Sequence, residues 1–366
     1  MKTVRLLLSV FCFIALLQAC KKNPPADNPP AAPTSMYFPP IGSATWEIVD
    51  PSLYNWNIST LNDLYTYLQS KNTKGFIILK NGRIAVEKYF GTFTADSAWY
   101  WASAGKTLSA FLVGIAQQDG IVNINNPSNQ YLGAGWSSLT VAQENAITVK
   151  HHLTMSTGVE DDQSGTDCTD PACFTYKAAP GKRWSYNNAA YYKVIDIVEH
   201  ATGKSYNTYT QEKVYSKTGM SGVWLPGTGG NGKIHYSTPR SMARFGLLML
   251  NKGNWNGTGV LNDQNYLTQM TNTSQNINLS YGYLTWLNGK ASSMLPGSQI
   301  LFNSSIVPNA PADMYAALGK NDQKIYVVPS QNIVVIRMGD ASGLSLYALS
   351  SFDDELWGKL KVLLKY

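Results

Sequence analysis

Two periods of apolar positions divide this chain. Near its start, Phe76-Ile77-Ile78-Leu79 and Arg83-Ile84-Ala85-Val86-Glu87-Lys88-Tyr89 flank Lys80-Asn81-Gly82. An Asn-Gly pair between β-prone runs signals a tight antiparallel hairpin. Near its end, Ile325-Tyr326-Val327-Val328 and Ile333-Val334-Val335-Ile336-Arg337 flank Pro329-Ser330-Gln331-Asn332. These runs are continuously apolar, which predicts a second hairpin buried on both faces. A helix is expected over Phe352 to Leu364, with Leu356, Leu360, Val362 and Leu363 on its apolar side. Between the hairpins the period becomes helical. Ala104 to Gln118 stops at Asp119-Gly120, Asn188 to His200 stops before Gly203, and Pro239 to Asn251 starts after Thr238 and stops at Gly253. Strands at both chain ends with helices between them predict an α+β fold, an antiparallel sheet built from N- and C-terminal segments and flanked by helices. The α/β domain is expected over residues 37–110 and 235–366, with a mainly helical inserted domain over 111–234.

The first residues follow neither period. Lys2 and Arg5 precede an almost unbroken apolar run from Leu6 to Leu17, the pattern of an export signal over residues 1–19. The run is too short to span a bilayer. It closes with Leu17-Gln18-Ala19-Cys20, which resembles a bacterial lipobox, so Cys20 is the expected lipidation site and a lipid the expected membrane anchor. Residues 20–36 are rich in proline (Pro24, Pro25, Pro29, Pro30 and Pro33), the composition of an extended tether. The expected location is therefore the cell envelope, periplasmic or associated with the outer membrane. In such an oxidising compartment Cys168 and Cys173 are expected to form a disulfide that pins a short Pro-containing turn. Neither has a nearby histidine or a second cysteine pair, so a metal site is not expected. The formal charge of +6 is scattered and forms no basic stripe, which argues against nucleic acid as a partner.

Candidate chemistry begins with an absence: no Gly-x-Ser-x-Gly elbow occurs. Ser103-Ala104-Gly105-Lys106 is the only Ser-x-x-Lys, and it opens a strong helical pattern. Residues three apart share a helix face, so the Lys106 amine can reach the Ser103 hydroxyl. The free N–H groups of a helix start favour an anionic acyl-transfer transition state there. Tyr186-Asn187-Asn188 is the only Tyr-x-Asn and lies just before a helix. A serine needs a base to become a useful nucleophile, and a tyrosine can serve if a cation such as Lys106 lowers its pKa towards neutrality. His151, His152, His200 and His235 show no ligand spacing. Among the many aromatics, Tyr100 and Trp101 are the expected lining of an acyl pocket.

These residues together resemble the serine hydrolases related to class C β-lactamases, a family that includes penicillin-recognising enzymes, D-stereospecific peptidases, family VIII carboxylesterases and nylon-oligomer hydrolases. The likeness covers about residues 60–366 and includes Ile147 to Gly158, Ser237 to Gly246 and Tyr281 to Trp286. It implies a β-lactamase/transpeptidase-like fold, Ser103 as nucleophile, Lys106 and Tyr186 as the proton-transfer pair, and Asn188 as a hydrogen-bonding support for substrate and Lys106. No cofactor is implied. The family's third motif, Lys-Thr-Gly or His-x-Gly on a strand, is where this chain departs. Lys217-Thr218-Gly219 matches literally but follows a helical stretch, so it is read as a helix end with Gly219 as its cap. The segment in the right context is Ala317-Leu318-Gly319-Lys320, which lacks the basic side chain. Its backbone can still supply an oxyanion donor, and Lys320 is expected to point to the opposite face. A substrate carboxylate then has no fixed cation, so an ester or amide acyl substrate, small molecule or peptide, is expected over efficient β-lactam turnover. The alternatives are a penicillin-recognising D-peptidase or β-lactamase, and a catalytically inactive envelope-binding lipoprotein.

Overall fold

The computed structural model describes residues 31–161, 167–227, 230–344 and 348–366. The signal segment, Cys20 and the first part of the tether lie outside the described residues. The strands are β1 (Thr73–Lys80), β2 (Arg83–Tyr89), β3 (Trp99–Tyr100), β4 (Val223–Pro226), β5 (Lys233–Ser237), β6 (Asn254–Trp255), β7 (Thr258–Gly259), β8 (Trp286–Leu287), β9 (Tyr315–Gly319), β10 (Gln323–Val328) and β11 (Ile333–Gly339). The helices are α1 (Leu61–Ser70), α2 (Gly105–Gln118), α3 (Asn129–Leu132), α4 (Val141–Ala146), α5 (Val149–Leu153), α6 (Asn188–Thr202), α7 (Tyr206–Thr210), α8 (Ser216–Thr218), α9 (Pro239–Leu250), α10 (Gln264–Met270) and α11 (Ser351–Leu364).

Both expected hairpins form, and they meet. The main sheet is antiparallel in the order β2-β1-β11-β10-β9-β8, with Ile77 opposite Ile336 where the two chain ends pair. In the first turn Asn81 and Gly82 both take positive φ, 49° and 78°, as a two-residue hairpin turn requires. A Cβ on Gly82 would also lie 1.9 Å from the Tyr37 carbonyl oxygen. The chain is bound to this body from Pro33 onward: Pro33 O accepts hydrogen bonds from Tyr54 Oη and Asn81 Nδ2, and Ser35 O accepts one from Arg83 Nη1.

Side-chain alternation on β10 and β11 sets what covers each face. Ile325, Val334 and Ile336 meet α9 at Gly246, where a Cβ would lie 2.5 Å from Val334 Cγ1. The alternate residues Lys324, Tyr326 and Arg337 face α11. Lys324 Nζ lies 2.8 Å from Asp353 Oδ2 and 3.2 Å from Asp322 Oδ1. Tyr326 Oη donates to Asp353 Oδ1 at 2.7 Å, and the Arg337 guanidinium lies 5.1 Å from the Phe352 ring centroid. All of these groups are buried. On α11, Leu356, Leu360 and Leu363 are buried as expected, but Val362 is exposed; Phe352, Trp357 and Leu364 complete the inward face instead. Three short strands, β3, β5 and β4, form a second antiparallel sheet that carries the chain into α2.

Burial alone would raise the Asp322 carboxyl, but the Lys324 charge and the Ser342 and Ser350 hydroxyls outweigh it and hold the pKa down to about 2. A carboxylate with a depressed folded pKa stabilises the fold above its unfolded pKa, near 3.8, and loses that contribution as pH falls through the folded value. Asp322 should therefore cost the protein about 2 kcal/mol of unfolding free energy between pH 4 and pH 2, measured by urea titration at each pH. Lys324→Met leaves Asp322 and Asp353 buried without their cation, and should cost about 3–5 kcal/mol at pH 7.

Candidate active site

The turn that carries Ser103 is fixed from behind. β3 pairs with β5 through Trp99 opposite Ser237 and Tyr100 opposite Tyr236. Trp101 follows, fully buried. Its backbone N–H donates to His235 O at 2.8 Å, its indole Nε1 donates to Ser237 Oγ at 2.8 Å, and its ring meets His235 edge-on at 4.4 Å. Trp101 is thus an anchor of the turn and does not line a pocket, contrary to the expectation from its position. With Trp101 locked, Ala102 adopts φ 47°, a conformation that costs a non-glycine residue about 1 kcal/mol or more and persists only where its surroundings impose it. Ser103 then sits in the 3-10 turn Ala102–Ala104, directly ahead of α2.

Lys106 lies one turn on, almost fully buried, with Nζ 2.9 Å from Ser103 Oγ. The same nitrogen is 5.1 Å from the Tyr186 ring centroid and 4.4 Å from that of Tyr191. Loss of water brings its pKa down to about 7, with the Asp167 charge acting in the opposite direction. Burial also pushes the Tyr186 phenol up from its ordinary value, against a hydrogen bond to Ser103 that pulls it down. The expectation that Lys106 lowers the tyrosine is therefore reversed. Desolvation disfavours the charged form of both groups, so the amine approaches neutrality and the phenol keeps its proton.

Aromatic residues from distant segments hold Tyr186. Its ring stacks on Trp286 at 6.0 Å and meets Tyr281 at 6.3 Å and Trp184 at 6.4 Å. The Tyr281 to Trp286 segment is tied to α2 and α5, since Thr107 Oγ1 donates to Leu284 O at 2.8 Å and Leu284 N–H donates to Leu153 O at 2.9 Å. Asn188 opens α6. Its Nδ2 donates to Asp167 Oδ1 at 3.1 Å, while its Oδ1 is buried without a hydrogen-bond partner. The expected contact with Lys106 is thus replaced by one with Asp167, the residue just before Cys168. Cys168 and Cys173 are joined in a disulfide.

Gly319 ends β9 against the back of the Ser103 turn. A Cβ there would lie 2.3 Å from Trp101 O and 3.0 Å from Ala104 N, so any side chain would force the strand off the turn. Lys320, the next residue, is exposed. The literal Lys217-Thr218-Gly219 ends α8, with Gly219 at φ 70° as its left-handed cap and Thr218 O accepting from Arg244 Nη1 at 2.7 Å. His152 is buried, with Nδ1 2.8 Å from Ala190 O and Nε2 3.2 Å from Ser128 Oγ. Buried His235 pairs with Tyr215. Among the described residues no group of three or more His, Cys, Asp or Glu side chains is placed to hold a metal ion. Asp167 and Tyr191 were not singled out by sequence. Tyr191 sits among several tyrosines with nothing local to mark it, and the loop that holds Asp167 is marked in sequence only by its two cysteines.

A family model described as beta-lactamase matches residues 69–343, and the chain belongs to that family. Its fold is the mixed helix and antiparallel-sheet fold of beta-lactamase/transpeptidase proteins. A candidate 6-aminohexanoate-dimer hydrolase from Bacillus anthracis is 18% identical, with TM-score 0.65 over 82% of each chain. A beta-lactamase/D-alanine carboxypeptidase from Yersinia pestis is 17% identical, with TM-score 0.60 over 85% of this chain and all of the other. An uncharacterized protein of Alkalihalophilus pseudofirmus is 21% identical over 301 residues, 73% of this chain and 83% of its own. At these identities the structures speak to the fold alone.

Two outcomes follow from the geometry. The Lys106 amine should titrate near pH 7 in NMR spectra of lysine-labelled protein, and a midpoint near 10 would mean that water reaches it. Gly319→Ala should leave the protein folded by circular dichroism while slowing covalent labelling of Ser103 by about 10-fold or more, because the strand is displaced from the turn.

Proposed function

We propose that the protein is a cell-envelope serine hydrolase that cleaves esters or amides through an acyl-enzyme. The observation that carries this reading is the buried Lys106 amine, drawn down to about pH 7 and 2.9 Å from the Ser103 hydroxyl, beside a phenol that retains its proton. In the neutral form Lys106 accepts the serine proton as Ser103 Oγ attacks the carbonyl carbon. The negative charge that develops on the carbonyl oxygen is met by backbone N–H groups of Ser103 and of the chain at the end of β9. Tyr186 gives its proton to the leaving group and is reprotonated at the expense of the Lys106 ammonium. Water then attacks the acyl-enzyme by the same steps in reverse order.

The preference for esters and amides rests on the third-motif strand, where Gly319 stands without a flanking cation on the site side. A carboxylate-bearing β-lactam or D-alanyl peptide lacks the charge partner it would need. The names of the similar structures keep a penicillin-recognising peptidase in play, and hydrolysis of a chromogenic cephalosporin at rates comparable to an ester would favour it. A binding-only role has no use for a desolvated lysine against a serine hydroxyl. Export and attachment through a lipid on Cys20 rest on the sequence of the first twenty residues. No helix among the described residues is long and apolar enough to cross a membrane.

A fluorophosphonate should add to the wild-type chain at Ser103 and not to Ser103→Ala, read by intact mass. Equal labelling of the two would overturn the assignment. The labelling rate should rise with pH through about 7 as Lys106 loses its proton. Tyr186→Phe should lower ester turnover by about 10²–10⁴-fold with folding intact, and a smaller loss would move the acid role elsewhere.

A further inference from the structure

The Ser103 turn and the chain that follows β9 both contain left-handed backbone at residues other than glycine. In the first, Ala102 has φ 47°. In the second, the turn Lys320–Asp322 between β9 and β10, Asn321 and Asp322 take φ 58° and 59° in succession. Such backbone persists only where its neighbours impose it. Here it is imposed from inside the fold. Arg337 Nη1, on β11, donates to Asn321 O at 2.8 Å and to Asp322 O at 3.0 Å, and Gln323 Nε2 donates to Asn321 O at 2.8 Å. The Asp322 carboxylate accepts from the Ser342 and Ser350 hydroxyls at 2.6 and 2.7 Å.

The Asn321 amide takes no part in those bonds. Its Nδ2 reaches out of the turn and donates to Tyr100 Oη at 2.7 Å. Tyr100 lies three residues before Ser103 and Asn321 two residues after Gly319, so this bond joins the nucleophile turn to the strand end packed against it. Tyr100 is itself held, because β3 pairs with β5 and its ring centroid lies 5.3 Å from that of Trp99 and 6.2 Å from that of Tyr236. Both Tyr100 and Asn321 are partly exposed, so neither fills the core. What their bond sets is the separation of two short segments whose N–H groups must point at one oxygen. That oxygen becomes anionic only in the transition state, and its stabilisation falls steeply as donors drift from hydrogen-bonding distance.

We propose that Tyr100 and Asn321 are positioning residues whose hydrogen bond holds the Ser103 turn and the end of β9 at the spacing that lets both serve one carbonyl oxygen. The proposal rests on the serine-hydrolase reading and adds to it a pair of side chains that act on the rate without touching the reacting atoms. Asparagine suits its place twice over: it tolerates left-handed backbone, and its amide supplies the donor.

The test is a double-mutant cycle on the full chain. Tyr100→Phe keeps the ring and removes the acceptor, and Asn321→Gly keeps the left-handed backbone and removes the donor. Each should lower kcat and kcat/KM for p-nitrophenyl acetate equally, by about 10-fold, and the double variant should be no slower than the slower single variant. An unchanged rate, a loss confined to KM, or losses that multiply in the double variant overturns the proposal. Backbone hydrogen exchange supplies a second readout that needs no turnover. It should quicken at residues 102–104 and 319–321 in each variant and stay unchanged in β10 and β11; unchanged exchange at both turns also overturns the proposal. Absence of a fluorophosphonate adduct on wild-type Ser103 would instead overturn the hydrolase reading, and the exchange measurement would still decide whether the bond fixes the two turns.

Discussion

A primary amine taken out of water with no carboxylate in contact is the condition on which the rest of this site depends. Left in solvent, Lys106 would be an ammonium at every physiological pH and could accept nothing from Ser103. Enclosed by α2 and two phenol rings, it is close to half-neutral at pH 7. The rings contribute in a second way. Their faces attract a cation without hydrogen-bonding to it, so they can hold the ammonium once it forms without blocking the nitrogen lone pair before it forms.

The surrounding fold meets that condition through segments far apart in sequence. The turn ahead of α2 and its first residues deliver Ser103 and Lys106 from one side, α6 and the residues just before it bring Tyr191 and Tyr186 from another, and the Tyr281 to Trp286 stretch closes the aromatic wall. Trp101 and Gly319 act in opposite senses on the same turn: one fixes it by filling space and hydrogen-bonding, the other permits a strand to reach it by having no side chain. The charged groups between the sheet and α11 form a separate arrangement. They are matched so closely that they serve as structure, and they lie on the face of the sheet opposite to α9.

Much of this was legible in the sequence where a local rule applies. The Asn81-Gly82 turn, the doubly buried β10–β11 hairpin and the Gly219 cap each follow from backbone preferences of a few adjacent residues. Ser103, Lys106 and Tyr186 could be named because their spacing is rare in the chain and matches a known family. What sequence could not supply was the sign of an environment. Whether Lys106 lowers Tyr186 or burial raises it depends on how much water survives around both, which is a property of packing by distant residues. For the same reason Trp101 passed for a pocket wall and Asn188 for a partner of Lys106. The Asp167 contact arises only when a disulfide loop folds back over α6.

The pairing of β1 with β11 has a consequence for biogenesis. This pair joins residues 73–80 to residues 333–339, and most of the fold lies between them in sequence. Such non-local pairing forms slowly, because a long loop must close before any ladder bond can compensate for its entropy. A ribosome that has yet to deliver the last strands can produce helices but no completed scaffold. The Ser103 turn is likewise left without its backing strand until Tyr315–Gly319 have been made. A chain that stops before β9 therefore lacks both the strand behind the nucleophile and the partner of β1.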